Sequence, residues 1–259
     1  MFSNEERCVY QKNQLGEVIC QLRFPEILAI GAEVPVAFQE AIRGDFPQYS
    51  ARKEVPAPKI TGAPGYFSLE NQPAAVNYQF VSADGAWRVN LTTKFISLAC
   101  TAYTCWEDFA HWLDKPLAAF IRIYKPAYFE RVGLRYVNMI SRNALDLQEE
   151  SFRDLISERY LGILADESVA SDAVARCTLD AEIALRGGCR VKIHAGPGKV
   201  NRGGKQDPEV KFIFDQDLYM PGKVEVKLSA GALQILHSQA WAIFRDAITD
   251  RLHEAMESQ

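Results

Sequence analysis

Residues 75–91, AVNYQFVSADGAWRVNL, decide the fold class, because they contain two strand-like runs around one turn. Apolar and polar residues alternate in 75–82 and again in 86–91, which is the period of a half-buried strand. Between these runs Asp84-Gly85 is a strong hairpin signal, since glycine adopts left-handed backbone conformations without a steric penalty. The stretch therefore predicts two adjacent antiparallel strands.

Further strand patterns lie on both sides of this hairpin. They follow one another through turns such as Gly187-Gly188, instead of alternating strictly with helices, and this order favours antiparallel over parallel sheet. The predicted strands are 17–24 (EVICQLRF), 94–103 (KFISLACTAY), 131–140 (RVGLRYVNMI), 176–185 (RCTLDAEIAL), 189–194 and 210–219 (VKFIFDQDLY).

Four segments carry apolar residues at the three- and four-residue spacing of an amphipathic helix: 34–46, 106–124, 151–164 and 229–256. The sequence thus predicts an α+β fold in which antiparallel sheets, built from a meander and hairpins, pack against long amphipathic helices. The order of elements also predicts two similar α+β halves, residues 1–145 and 146–259, which can form one compact unit.

Composition limits the class of protein. The 259 residues carry a formal net charge of −4, whereas proteins that coat nucleic acids are usually basic. No apolar run is long enough to span a membrane, and the first residues do not resemble a secretory signal. The six cysteines include no Cys-x-x-Cys pair. We therefore expect a cytoplasmic protein with free thiols and no membrane partner.

The glycine-rich stretch 187–205 carries several basic residues, including Lys199, Arg202 and Lys205. Backbone N–H groups in a loop of this kind can bind phosphate, and the cations would strengthen the binding. The stretch is not a P-loop, because Lys205 is followed by glutamine where that motif needs serine or threonine. It predicts either a solvated hairpin loop or a contact to nucleic acid or a nucleotide.

Acidic residues form a second candidate site. Asp180 and Glu182 are two residues apart on one predicted strand, and Asp215 and Asp217 are two apart on another, so each pair shares a face. If the two strands were neighbours, the four carboxylates could hold Mg²⁺ for phosphoryl-transfer or nuclease chemistry. The alternative is the ordinary polar face of a half-exposed sheet.

Arg131 and Arg135 fall on the same face of a third predicted strand, with Gly133 leaving room between them. Two guanidinium groups in that position could hold a carboxylate or phosphate by paired hydrogen bonds, or they could form structural ion pairs. Asn138 interrupts the apolar face of the same strand. Arg131, Arg135 and Asn138, with Lys199, Arg202 and Lys205, are the candidate residues for binding a ligand or partner.

No catalytic set emerges from the sequence. The four histidines have no metal-ligand spacing, and the Gly-x-Ser-x-Gly motif of serine hydrolases is absent. We therefore assign no catalytic residue, no metal ligand and no cofactor.

The string Arg-Val-Gly-Leu-Arg-Tyr-Val-Asn at 131–138 carries a resemblance, together with weaker motifs along nearly the whole chain. These motifs are Gly16-Glu17-Val18, Arg23-Phe24, 95–98 after Trp87, Tyr103 with Trp106 and Phe109, 215–217, and Leu236-His237 with Phe244 and 248–250. The chain resembles a sporadically distributed prokaryotic family of unknown function whose members have about this length. The resemblance implies no activity and no catalytic residues, and stretch 187–205 has no counterpart in the family pattern.

The patchy occurrence of that family is typical of accessory genes, including those of anti-phage and CRISPR-associated loci. Together with the missing catalytic set, it predicts a non-enzymatic accessory or regulatory protein that binds another macromolecule, with a protein as the expected partner. Nucleic-acid or nucleotide binding through 187–205 is the first alternative, and a metal-dependent hydrolase is the second. The sequence leaves the oligomeric state open.

Overall fold

The central feature of the chain, as given by a computed structural model, is a single antiparallel sheet of nine strands. The structure describes residues 2–54, 59–63, 66–70, 75–170 and 173–257. The strands, in chain order, are β1 (Leu15–Arg23), β2 (Gln48–Glu54), β3 (Lys59–Ala63), β4 (Tyr66–Glu70), β5 (Ala75–Val81), β6 (Trp87–Leu91), β7 (Phe95–Cys100), β8 (Phe129–Ile140), β9 (Leu179–Ala184), β10 (Arg190–Arg202) and β11 (Lys205–Val224).

The order of strands in the large sheet is β2-β5-β6-β7-β1-β8-β11-β10-β9, and each neighbouring pair is antiparallel. Within the described residues, β3 and β4 pair with each other alone, as a separate two-stranded ladder. The predicted hairpin at 75–91 is confirmed, with β5 joined to β6 through a turn in which Gly85 has a φ of +76°.

The predicted fold class is wrong. It placed antiparallel sheets against long amphipathic helices in two similar halves, whereas one continuous sheet contains strands from both halves. The reason is the pairing of β8 with β1 on one side and with β11 on the other, which no local pattern encodes. The division at residues 145 and 146 stays a prediction.

Most of the described helices are short. They are α1 (Leu28–Ala32), α2 (Val36–Ile42), α3 (Trp106–Tyr124), α4 (Phe152–Leu155), α5 (Ser229–Ala247) and α6 (Asp250–Ala255). Within the described residues, none of these helices combines the length and the apolar character that a membrane span needs.

Two predicted helices are interrupted where the chain forms a bridge outside the main sheet. Ile156 and Ile248 pair as an isolated antiparallel bridge, and both have extended backbones. The helix predicted at 229–256 therefore ends at Ala247 and restarts at Asp250. For the same reason the helix predicted at 151–164 is reduced to α4, which is followed by short 3-10 turns at 158–160 and 162–165.

The two faces of the sheet differ in character because side chains alternate along each strand. On one face, buried apolar side chains from β1, β8 and β11 form the core, including Cys20, Leu134 and Leu218. Aromatic rings from the helices contact this face. Trp112 of α3 stacks on Trp87 at 4.9 Å between ring centroids, and Phe244 of α5 lies 6.2 Å from Phe214. The other face carries the charged side chains of the same strands.

We predict that Gly196 of β10 tolerates no side chain, because the backbone of Cys177 passes beside it. A Cβ atom at Gly196 would lie 2.3 Å from the carbonyl oxygen of Cys177, and the φ of Gly196 is +156°. Gly196→Ala should lower the free energy of unfolding by about 1–3 kcal/mol, as overpacking usually does, when measured by urea denaturation.

Gly198, two residues further along the same strand, is the matched control. Its added Cβ would meet only Ile213 Cγ1, at 3.4 Å. Gly198→Ala should change the free energy of unfolding by less than about 0.5 kcal/mol. Equal effects of the two substitutions would contradict the close approach at Gly196.

Candidate functional site

The charged face is the surface formed by the outward side chains of β8, β11, β10 and β9. β10 lies between the two acidic strands and brings basic residues into register with them. Lys192 is opposite both Glu182 and Asp217, and His194 is opposite both Asp180 and Asp215. The members of the charged face are Arg131, Arg135, Asp180, Glu182, Arg190, Lys192, His194, Asp215, Asp217 and Tyr219.

Both predicted arginines form paired hydrogen bonds with aspartates of β11. Arg131 Nη2 donates to the two carboxylate oxygens of Asp217 at 2.6 and 2.7 Å. Arg135 donates to Asp215 from Nε at 2.8 Å and from Nη2 at 2.5 Å. The hydrogen bonds to Asp215 raise the pKa of Arg135. The two guanidinium groups therefore hold carboxylates of the chain itself.

Gly133 provides the space that the Arg131 guanidinium occupies. A Cβ atom at this position would lie 2.2 Å from Arg131 Nη1, so the guanidinium lies directly over the glycine. From there it also covers Tyr219, with its Cζ 4.7 Å from the ring centroid. The room that the sequence predicted beside Gly133 is present, and Arg131 fills it.

The carboxylates of β9, at the edge of the sheet, are also paired. Asp180 accepts a hydrogen bond from His194 Nδ1 at 2.7 Å. Glu182 accepts one from the hydroxyl of Tyr219 and one from Arg190 Nη1 at 3.4 Å. The hydrogen bond from Tyr219 is the main reason why the pKa of Glu182 is lowered.

The four carboxylates therefore share a face without converging on one point. Each has a cationic or hydrogen-bonding neighbour of its own, and β10 separates the β9 pair from the β11 pair. Among the described residues, no three His, Cys, Asp or Glu side chains are arranged to hold a metal ion.

The basic stretch 187–205 is mostly strand, so its prediction as a loop is wrong. β10 occupies 190–202, where it pairs with β11 along most of its length and with β9 over residues 190–195. Lys199, Arg202 and Lys205 lie at the tip of the β10–β11 hairpin, where Arg202 pairs with Lys205 and Lys199 with Val210. Lys199 and Lys205 are exposed, and the side chain of Arg202 lies outside the described part of the chain.

Asn138 lies on the opposite face of the sheet from Arg131 and Arg135. Its side chain is only 4% exposed, and its Nδ2 donates to the carbonyl oxygen of Phe214 at 3.3 Å. The six residues predicted to bind a ligand or partner therefore occupy three places: the charged face, the hairpin tip and the buried face.

Next to Asn138 is a polar cluster that the sequence analysis missed. Its centre is the buried pair Tyr136 and His237, and half-buried Tyr103 and exposed Arg7 complete it. We call it the buried polar cluster after its central pair. The Tyr136 hydroxyl lies 2.8 Å from His237 Nδ1, and Arg7 Nη1 lies 3.3 Å from His237 Nε2. Because arginine can only donate, Nε2 accepts, so Nδ1 carries the hydrogen and donates to Tyr136. The indole of Trp106 stacks on the imidazole at 4.6 Å.

Burial, and secondly the charge of Arg7, lower the pKa of His237 to about 4. The imidazole is therefore neutral near neutral pH. The sequence contained a signal for this cluster, since Tyr136, Asn138 and His237 are polar residues on otherwise apolar stripes of β8 and α5. Nothing in the spacing alone connected the strand with the helix.

No protein-family model and no curated protein sequence matches this chain. The resemblance based on residues 131–138 therefore stays a prediction.

We predict that Arg131→Gln lowers the free energy of unfolding by about 1–2 kcal/mol, because it removes a partly buried ion pair that has two hydrogen bonds. Arg23→Gln, a change at the exposed register partner of Arg131 on β1, should cost less than about 0.5 kcal/mol. Gly133→Ala displaces the guanidinium, so Arg131→Gln should lose most of its effect in that background. An undiminished effect, measured by urea denaturation, would contradict the placement of Arg131 over Gly133.

We also predict that His237 makes the fold acid-sensitive. Its pKa is about 4 in the folded chain, against about 6.5 in the unfolded chain. The contribution of His237 to the free energy of unfolding is therefore present above pH 6.5 and is lost as the pH falls towards 4. Between about pH 7 and pH 4.5 this loss amounts to about 2–3 kcal/mol. In His237→Gln the free energy of unfolding should fall by correspondingly less over that pH interval.

The control for this prediction is His111→Gln, which changes an exposed histidine of α3. Its pH dependence, followed by urea denaturation at each pH, should match that of the wild type. A drop in His237→Gln as large as in wild type would show that another group causes the acid sensitivity.

Proposed function

We propose that this protein is a non-enzymatic, cytoplasmic accessory or regulatory protein, and that it acts by binding a protein partner through the charged face. The balance of charge on that face is the observation that carries the proposal. Arg131, Arg135, Arg190 and Lys192 are matched by Asp180, Glu182, Asp215 and Asp217 across four adjacent strands.

This balance favours a protein over a nucleic acid as the partner. Binding to a phosphate backbone depends on cations that are free to replace its counterions. On the charged face, Arg131, Arg135 and Arg190 already contact carboxylates of the chain. A protein surface with charges of both signs can exchange ion pairs with such a face, which gives orientation and specificity.

The charged face is also accessible to a partner. The side chains of Arg135, Arg190 and Asp180 are 46%, 54% and 73% exposed. Lys192 is exposed in the middle of the face and has no ion pair within the described part of the chain. Its ammonium group, 5.9 Å from the ring centroid of Tyr219, is therefore the cation most available to a partner's carboxylate.

The family that the chain resembles supplies a biological setting for the proposal. Its patchy distribution suggests a role in an anti-phage or CRISPR-associated locus.

Nucleic-acid binding is the second candidate, and the hairpin tip is the observation that favours it. Lys199, Arg202 and Lys205 lie there at one end of the β10–β11 strand pair, away from the four carboxylates of the charged face. A metal-dependent hydrolase, the third function that the sequence left open, has no supporting arrangement among the described residues.

We predict that Lys192→Glu weakens capture of the partner at least tenfold, because the reversed charge would face a partner's carboxylate. The wild-type chain and the variant are immobilised and exposed to lysate of the native host, and stoichiometric partners are then purified for direct affinity measurement. Lys227→Glu is the matched control, since Lys227 is an exposed lysine beside a carboxylate in the turn before α5. It should bind like the wild type.

The proposal fails if no stoichiometric partner and no self-association is found, or if Lys192→Glu binds a purified partner as tightly as the wild type. Retention on heparin or labelled RNA distinguishes the second candidate. Retention that falls with salt, and falls again when Lys199, Arg202 and Lys205 are all changed to glutamine, would favour nucleic-acid binding instead.

A further inference from the structure

A cavity of about 90 Å³ lies between the apolar face of the sheet and α5, beside the buried polar cluster. Its outer wall is the N-terminal strap, which we define as residues 7–14, the segment that leads into β1. The strap is held by backbone hydrogen bonds from Gln11 and Lys12 to the carbonyl oxygens of Glu257 and Met256, at 3.0 and 3.1 Å. Asn13 Nδ2 also donates to the carbonyl oxygen of Tyr103 at 3.1 Å.

Gln216 of β11 lines this cavity, and its amide is the observation that points to a ligand. The side chain is 2% exposed, and its Oε1 has no hydrogen-bond partner among the described residues. Buried side-chain amides are nearly always hydrogen-bonded. Moreover, Gln216 lies on a strand face where its neighbours, Phe214 and Leu218, are apolar and fully buried.

The charges around the cavity indicate a neutral ligand. Of the described residues that line it, only Arg7 carries a permanent charge, and none has a carboxylate side chain. Arg7 already contacts Glu107 and the neutral His237. A charged ligand would therefore enter the cavity without a free counter-charge, which is strongly unfavourable in a buried site.

The shape and the walls indicate a flat molecule. The rings of Tyr10, Trp241 and Phe244 border the cavity, with Tyr10 lying 5.8 Å from Trp241 and 6.2 Å from Phe244 between centroids. Aromatic walls favour flat partners, which stack or pack edge to face. The volume is below the roughly 150 Å³ of an engineered cavity that holds benzene, so a five-membered ring is a suitable size.

We propose that this cavity binds a small, neutral, flat molecule that has a hydrogen-bond donor next to an acceptor, as pyrazoles and lactams do. Gln216 would accept from the donor through Oε1 and donate to the acceptor through Nε2, the pairing by which a side-chain amide reads an adenine edge. This site lies on the opposite face of the sheet from the charged face, so the inference is independent of the proposed partner binding.

Pyrazole is a suitable probe, because its N–H and its second nitrogen are adjacent. Two isomers test the pairing: 4-methylpyrazole keeps the N–H, whereas 1-methylpyrazole has the same atoms but no donor. Calorimetric titration of the full chain should show millimolar or tighter binding of pyrazole. Binding of 1-methylpyrazole should be at least tenfold weaker than binding of its isomer.

Two variants locate the binding. Gln216→Leu removes the unpaired amide at similar volume and should weaken pyrazole binding at least tenfold while the chain stays folded. Ala240→Val adds bulk to the cavity wall from α5, where Ala240 is 3% exposed, and should weaken all three probes. Lys192→Glu, on the other face, should bind pyrazole like the wild type.

The inference is overturned if the wild-type chain binds none of the probes, or if 1-methylpyrazole binds as tightly as 4-methylpyrazole. It is also overturned if folded Gln216→Leu binds pyrazole as tightly as the wild type. The comparison between the two isomers needs only the wild-type chain, so the test holds even if a variant fails to fold.

Discussion

The pairing of β8 with β1 on one side and with β11 on the other is the constraint on which the rest of the structure depends. It joins strands from both halves of the chain into one sheet, and it brings the apolar side chains of all three strands to one face. Leu134 in the middle of β8 lies in register with Cys20 and Leu218, and all three are fully buried. The burial of this row fixes the register, since a shift by one residue would turn every side chain to the wrong face.

The alternation along β8 also separates the two candidate sites. Arg131 and Arg135 point to the charged face and pair with the aspartates of β11, whereas Tyr136 and Asn138 point to the buried face beside α5. One strand thus supplies an exposed surface in which charges of both signs are balanced, and a buried polar cluster next to a cavity. We propose the first for contact with a protein and the second for binding a small neutral molecule.

The sequence predicted local structure well and long-range pairing poorly. Period-two alternation located most of the strands, and Asp84-Gly85 located a hairpin, because both signals act between residues close in the chain. The single sheet was missed because the β8–β11 pairing joins segments separated by more than sixty residues. The glycines of 187–205 suggested a loop, yet pairing with β11, and over 190–195 also with β9, holds most of that stretch as strand. At the site, spacing correctly placed Arg131 and Arg135 on one face with room at Gly133. It also offered structural ion pairs as one of two alternatives, but it could not show which carboxylates are the partners. Gln216 and His237 were missed, because their only signal is that they are polar residues on otherwise apolar stripes.

Native-state hydrogen exchange, followed as a function of urea, tests the continuous sheet most directly. If β1, β8 and β11 belong to one cooperative unit, their most protected amides should exchange with the same free energy and the same urea dependence, equal to those of global unfolding. A smaller opening free energy for β11 than for β1 and β8 would contradict the account. It would mean that the C-terminal half opens as a separate unit while the N-terminal half stays folded.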